Sequence, residues 1–67
     1  MLNKQDRYAL ESSLSLFRAG LIEPCVIARN LSAMIKRTRS GNVDFEMKQG
    51  LSVEDYQQIT NHPNFIL

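Results

Sequence analysis

Apolar residues recur at helical spacing through the first third of the chain. Four of them fall on one side of an α-helix: Leu10, Leu14, Phe17 and Leu21. A weaker apolar set falls on other sides of the same helix and comprises Tyr8, Ala9, Leu16 and Ala19. We therefore predict a helix near residues 4–20 that Asn3 caps and Gly20 ends. Its second apolar surface would contact a second neighbouring element, either a helix of the same chain or another subunit.

A second helical stripe follows between Pro24 and Gly41. Its apolar members cluster within about 120° of a helical wheel and are Ile27, Ala28, Leu31, Met34 and Ile35. Proline suits a first helical position because its missing N–H would have no partner there, and glycine commonly follows a helix end. The pattern predicts a helix near residues 24–40.

After Gly41 the spacing of the apolar residues changes from a helical period to a period of two residues. Apolar and charged side chains alternate in the order Val43, Asp44, Phe45, Glu46, Met47 and Lys48. This alternation is typical of a half-buried strand, and an extended connector gives the same pattern. The chain ends on three more apolar residues, Phe65, Ile66 and Leu67. These would dock on the core, pair with residues 43–47 as a second strand, or reach into a partner.

A capping box at Ser52 and Asp55 predicts a third helix over residues 52–61, which His62 and Pro63 end. The expected fold class is all-α: one small domain over residues 1–67 with three helices and an extended connector at 43–48. The alternative is an α+β fold in which residues 43–47 and 65–67 form a minimal two-stranded ribbon on the helices.

The length of the chain indicates a partner. A domain of 67 residues has a marginal core, and small domains are usually reinforced by disulfides, a metal or a second subunit. Cys25 is the only cysteine and His62 the only histidine, so we expect neither a disulfide within the chain nor a structural zinc site. We therefore expect a homodimer without a cofactor. The candidate dimer contacts are Tyr8, Leu16, Phe65, Ile66 and Leu67.

Charge is concentrated in the second predicted helix. Four of the eight basic residues lie there, with no acidic residue among them: Arg29, Lys36, Arg37 and Arg39. These four are candidates for contacting phosphate or a protein partner. The glycine-containing turn before this helix has the outline of a helix-turn-helix unit, although Glu23 at the helix start would repel phosphate. Four cations are few beside the six to ten phosphate contacts of a committed DNA-binding protein.

The sequence contains no residue set for catalysis. It has no Gly-rich phosphate loop and no HExxH, GxSxG or CxxC motif, so we do not expect an enzyme. A lone thiol suits a reducing cytoplasm, and the charged N-terminus lacks the apolar segment of a signal peptide. We do not expect a membrane association.

In size and style the chain resembles the short helical accessory proteins of phages, prophages and bacterial mobile elements, which implies regulation by binding. The expected function is that of a small cytoplasmic interaction module that binds another protein. The alternative is a nucleic-acid-binding regulator that uses the basic side of the helix at 24–40.

Overall fold

The computed structural model describes residues 2–67 and is helical throughout, with no strand in that range. Its four helices are α1 (Lys4–Arg18), α2 (Pro24–Thr38), α3 (Asn42–Gly50) and α4 (Val53–Thr60). The all-α class is therefore confirmed. The predicted count of three helices is wrong, because an additional helix occupies the segment that we expected to be extended.

Helix α1 begins at the predicted residue and ends at Arg18, two residues before the predicted end at Gly20. The side chain of Asn3 accepts a hydrogen bond from the backbone N–H of Asp6 at 2.8 Å. At the other end Gly20 adopts a left-handed conformation with φ 75°, which a residue without a Cβ adopts at little cost. Leu10 and Leu14 are buried, as expected from the stripe, but Leu21 is 71% exposed because the chain turns at Gly20 before reaching it.

Helix α2 lies at the centre of the fold and packs against each of the other three helices. Its buried residues are Ile27, Ala28, Leu31, Ser32 and Met34, close to the predicted stripe. The helix ends two residues earlier than predicted, since Arg39 is left-handed with φ 51° and its N–H closes the last turn on the carbonyl of Ile35.

Helix α3 corrects the prediction for residues 43–48. Val43 and Met47 are buried, whereas Phe45 is 56% exposed, as a helical turn requires and a strand would not. Residues four apart share a face of a helix and also a face of a strand, so Val43 and Met47 fit both patterns. The α+β alternative with a ribbon of 43–47 and 65–67 is wrong for the same reason, because its first strand is a helix.

Helix α4 has the predicted cap, with the hydroxyl of Ser52 accepting from the N–H of Asp55 at 3.1 Å. Ile59 is completely buried, Tyr56 is half-buried and Val53 is exposed. The helix therefore contacts the core through a narrow part of the broad apolar face seen in the sequence.

The C-terminal segment docks on its own chain. The hydroxyl of Ser32 donates to the carbonyl of Arg29 at 3.1 Å and shares its hydrogen with the carbonyl of Asn64 at 3.4 Å, and the side-chain amide of Asn64 donates to the carbonyl of Cys25 at 3.3 Å. These bonds hold the segment on α2 and bring half-buried Phe65 against the core. Phe65 therefore docks on the core, and no strand pairs with the segment among residues 2–67, whereas Ile66 and Leu67 are exposed.

The described residues enclose a complete core. It is formed by eleven buried apolar residues, drawn from all four helices and from the residues beside them: Leu2, Leu10, Leu14, Ile27, Ala28, Leu31, Met34, Val43, Met47, Leu51 and Ile59. The radius of gyration is 10.6 Å, against about 11 Å expected for a compact chain of this length. The core is therefore closed by the chain's own helices, and any second chain would bind to the surface.

Candidate functional site

The four basic residues predicted on α2 do not all lie on one side of the helix. Arg29 and Lys36 are both exposed and lie seven residues apart, which puts them two turns apart on the same side of the helix. Arg37 turns towards α1, where it pairs with Asp6. Arg39 is the left-handed C-cap residue of α2. The candidate phosphate-contacting face therefore comprises Arg29 and Lys36, which are aligned, and the exposed Arg39 at the end of the helix.

Arg37 is occupied by an ion pair within the chain. One guanidinium nitrogen, Nη2, lies 2.7 Å from Oδ1 of Asp6, and Nη1 lies 3.4 Å from Oδ2, so the ion pair is bidentate. The side chain of Asp6 is only 13% exposed. The carboxylate raises the pKa of Arg37, mainly through the hydrogen bond. This pair links the start of α1 to the end of α2 and neutralises one of the four predicted cations.

The five predicted contact residues divide into two groups. Tyr8 and Leu16 lie on the outer side of α1 and are 75% and 41% exposed. Phe65 packs on the core of its own chain, while Ile66 and Leu67 beyond it are exposed. Only Tyr8 and Leu16 belong to a continuous helical surface.

That surface is the side of α1 directed away from the core. It spans about 120° of the helical wheel, and we name it the α1 outer face: Gln5, Tyr8, Ala9, Ser12, Ser15, Leu16 and Ala19. None of these residues is charged. An open depression of about 450 Å³ lies on it, on the C-terminal side of Tyr8, and a second of about 490 Å³ lies at its charged edge, beside Lys4, Arg7 and Glu11. Tyr8 is therefore a protruding ring between two shallow hollows.

The turn after α1 brings one more apolar residue to this surface. The N–H of Leu21 donates to the carbonyl of Leu16 at 2.9 Å, and the N–H of Gly20 donates to that of Phe17 at 3.0 Å. This pair of bonds is a Schellman motif, in which the residues in the positions of Leu16 and Leu21 commonly make an apolar contact. Exposed leucines thus close one end of the α1 outer face, and Tyr8 lies near the other.

The charges of α1 lie beside the outer face or turn away from it. Besides the Asp6–Arg37 pair, Arg7 lies 3.3 Å from a carboxylate oxygen of Glu46 on α3. Arg18 donates to the carbonyl of Gly50, the last residue of α3, at 2.8 Å. These contacts fasten α1 to α2 and α3. They leave an uncharged strip of four turns between bordering charges.

A second polar group joins α3 to α4. The hydroxyl of Tyr56 donates to the carboxylate of Asp44, and Lys48 lies 3.2 Å from the other carboxylate oxygen and over the Tyr56 ring. The Tyr56 hydrogen bond, with a smaller contribution from Lys48, lowers the pKa of Asp44 despite partial burial. The same bond raises the pKa of Tyr56. Sequence reasoning missed this group because it placed Asp44 in an extended segment.

Asp44 and Tyr56 also line an open groove of about 420 Å³ between α2, α4 and the C-terminal segment. Its other lining residues are Ile35, Thr60, Phe65 and Leu67. Because Asp44 and Tyr56 form a hydrogen bond with each other, the polar groups that line the groove are already paired within the chain.

We expect Tyr56→Phe to lower the free energy of unfolding by about 1 kcal/mol at neutral pH, since Asp44 is partly exposed and its bond is screened. Asp44 has a lowered pKa when folded, so the contribution is present above the ordinary carboxyl range and is lost as pH falls below about 4. Tyr56 has a raised pKa, so the contribution is also lost as pH rises beyond about 10. Urea unfolding at acid, neutral and alkaline pH measures the difference.

Tyr8→Phe is the matched control for Tyr56→Phe, because the Tyr8 hydroxyl is on an exposed ring with no bond to the chain among residues 2–67. Its stability should equal that of the parent at every pH. A Tyr56→Phe difference that stayed constant from acid to alkaline pH would contradict the assignment to Asp44.

The only cysteine and the only histidine lie near the start of α2 and the docked C-terminal segment. The thiol of Cys25 is 3.5 Å from a carboxylate oxygen of Glu23, and Nδ1 of His62 accepts from the N–H of Asn64 at 3.0 Å. Within residues 2–67 no group of three potential metal-ligating side chains is present. None of the four helices is long and apolar enough to cross a membrane.

Comparison with protein-family models, with curated proteins and with solved structures found no match for this chain. Its function is therefore inferred from its own surface.

Proposed function

We propose that this protein is a small non-enzymatic interaction module that binds another protein through the α1 outer face. The observation that supports this proposal best is the absence of charge across four turns of an exposed helix. Solvated helix faces normally carry charged residues, whereas the centres of protein interfaces are depleted of charge and enriched in tyrosine. Tyr8 supplies such an aromatic side chain.

The position of the charged residues of α1 supports the proposal further. Asp6, Arg7 and Arg18 contact other elements of the same chain, so the outer face is uncharged although the helix as a whole is polar. Because the core is closed without it, this face has no packing task within the chain. Binding at the face would not require the domain to unfold or rearrange.

The shape of the face indicates a helical partner surface. Small residues are spread along it, at Ala9, Ser12, Ser15 and Ala19, which allows another helix to approach within about 8–10 Å. Tyr8 and Leu16 supply the larger apolar side chains among these small residues. A lone, partly exposed thiol at Cys25 fits a reducing cytoplasm as the place of action.

Photo-crosslinking at Ser15 tests this proposal. A photoreactive residue at Ser15, in the cells that make the protein, should yield an adduct whose partner peptide is identified by mass spectrometry. The same residue at exposed Gln58 on α4 is the matched control and should yield no adduct. Equal crosslinking at both positions, or none at Ser15, would refute binding through the α1 outer face.

A nucleic-acid-binding regulator is the second candidate, favoured by the aligned and exposed Arg29 and Lys36. It requires affinity for a labelled duplex that falls steeply with salt and falls further in an Arg29→Ala/Lys36→Ala variant. The pairing of Arg37 with Asp6 counts against it, because fewer cations are left to meet phosphate. A titration at two salt concentrations that shows no binding at the lower one removes this candidate.

A further inference from the structure

We propose that the partner of the α1 outer face is a second copy of this chain, with the two α1 helices packed antiparallel. This inference rests on the proposed function and specifies the occupant of the same surface. It is carried by the order of charged and apolar residues along α1, which one antiparallel alignment satisfies at two independent pairs of positions.

The charged border of the outer face supplies the first pair. Lys4, Glu11 and Arg18 recur every seven residues and so lie along one edge of the α1 outer face. In a parallel pair this edge would face the opposite edge of the second copy, where Ala9 and Leu16 lie, so Glu11 and Arg18 would gain no charged partner. Antiparallel helices whose midpoint lies between residues 14 and 15 set Glu11 opposite Arg18 of the second copy, and the reverse.

The apolar residues supply the second pair under the same alignment. With the midpoint between residues 14 and 15, Tyr8 lies opposite the C-terminal end of α1 of the second copy, which the exposed Leu16 and Leu21 close. The exposed ring of Tyr8 and the exposed side chain of Leu21 would then cover each other. Ser15 lies close to the two-fold axis, where a small residue lets the helices approach.

The charged pair is free to form in the folded chain. The side chain of Glu11 is 61% exposed, and its nearest cation is Arg7 at a loose 4.0 Å. Arg18 uses Nη1 for the carbonyl of Gly50, which leaves other N–H groups of its guanidinium for a carboxylate. Glu11 and Arg18 therefore need not break a strong contact to meet across the interface.

The expected dimer is weak. Stable dimers bury about 800 Å² on each partner, and one face of a four-turn helix offers less than that in a chain whose whole surface is 4507 Å². We expect reversible dimerisation at micromolar to millimolar concentration.

Charge reversal tests the alignment by sedimentation equilibrium. Glu11→Arg alone and Arg18→Glu alone each turn two attractive contacts into repulsive ones, so the dissociation constant should rise roughly tenfold or more. An equal mixture of the two variants restores opposite charges at both contacts and should dimerise as the parent does, and so should the double variant. Single variants that dimerise like the parent, or a mixture without rescue, would overturn the alignment.

A test independent of Arg18 uses disulfide formation in a Cys25→Ser background. An equal mixture of Tyr8→Cys and Leu21→Cys variants should form the mixed disulfide faster than either variant forms a disulfide with itself. Faster self-pairing of the Tyr8→Cys variant indicates parallel helices and refutes the proposal.

A parent chain that stays monomeric at millimolar concentration, yet crosslinks through Ser15 to a different protein, refutes the second copy and leaves the proposed function standing. A monomer without a Ser15 crosslink refutes both.

Discussion

Replacing Met47 with alanine is expected to lower the free energy of unfolding by about 2–5 kcal/mol. Met47 is completely buried on α3, so truncation removes its apolar contacts and leaves a cavity. A chain of 67 residues has roughly 3–10 kcal/mol of total stability, which makes this loss a large part of the whole. Urea unfolding followed by circular dichroism measures it, with a fall in the midpoint.

Phe45→Ala is the matched control, since Phe45 lies two residues away on the same helix and is 56% exposed. A helix directs residues two apart to different sides, so this larger truncation should cost less than about 0.5 kcal/mol. A strand would direct both side chains to one face. Equal losses for Phe45→Ala and Met47→Ala would therefore contradict α3 as a helix.

Deleting residues Asn64–Leu67 is expected to lower the free energy of unfolding by about 2 kcal/mol. The loss has two sources: half-buried Phe65 no longer covers the core, and the bonds from Ser32 and to the carbonyl of Cys25 disappear. Thermal and urea unfolding should both show the change.

A shorter deletion controls for the removal of chain length. Deleting only Ile66–Leu67 removes two exposed residues and leaves Asn64 and Phe65 in place, so stability should change little. If the two deletions behaved alike, the docking of Asn64 and Phe65 on α2 would contribute nothing.

The sequence predicted the elements whose ends carry local signals. Asn3, Pro24 and Ser52 start α1, α2 and α4 by interactions within a few residues, which a sequence pattern records directly. Helix α3 was missed because residues 43–47 satisfy both periods and only burial against α1, α2 and α4 selects the helix. Leu21 was misplaced because the turn at Gly20 takes it off the helical wheel.

The candidate site was predicted in part for similar reasons. Tyr8 and Leu16 stand out in sequence as apolar residues off the core stripe. Ser12 and Ser15 do not, since small polar residues are equally common on solvated helices. The pairing of Arg37 with Asp6 spans 31 residues and depends on how α1 crosses α2, so no local pattern reveals it.

Hydroxyl-radical footprinting tests most directly whether a protein partner covers the α1 outer face. Oxidation of each side chain is compared between dilute purified protein and the cells that make it. Tyr8 and Leu16 should be protected in cells, whereas Phe45 and Val53, which are also exposed but lie on α3 and α4, should oxidise at unchanged rates relative to each other. If the oxidation of Tyr8 relative to Phe45 and Val53 were the same in cells as in dilute solution, no partner would cover the α1 outer face.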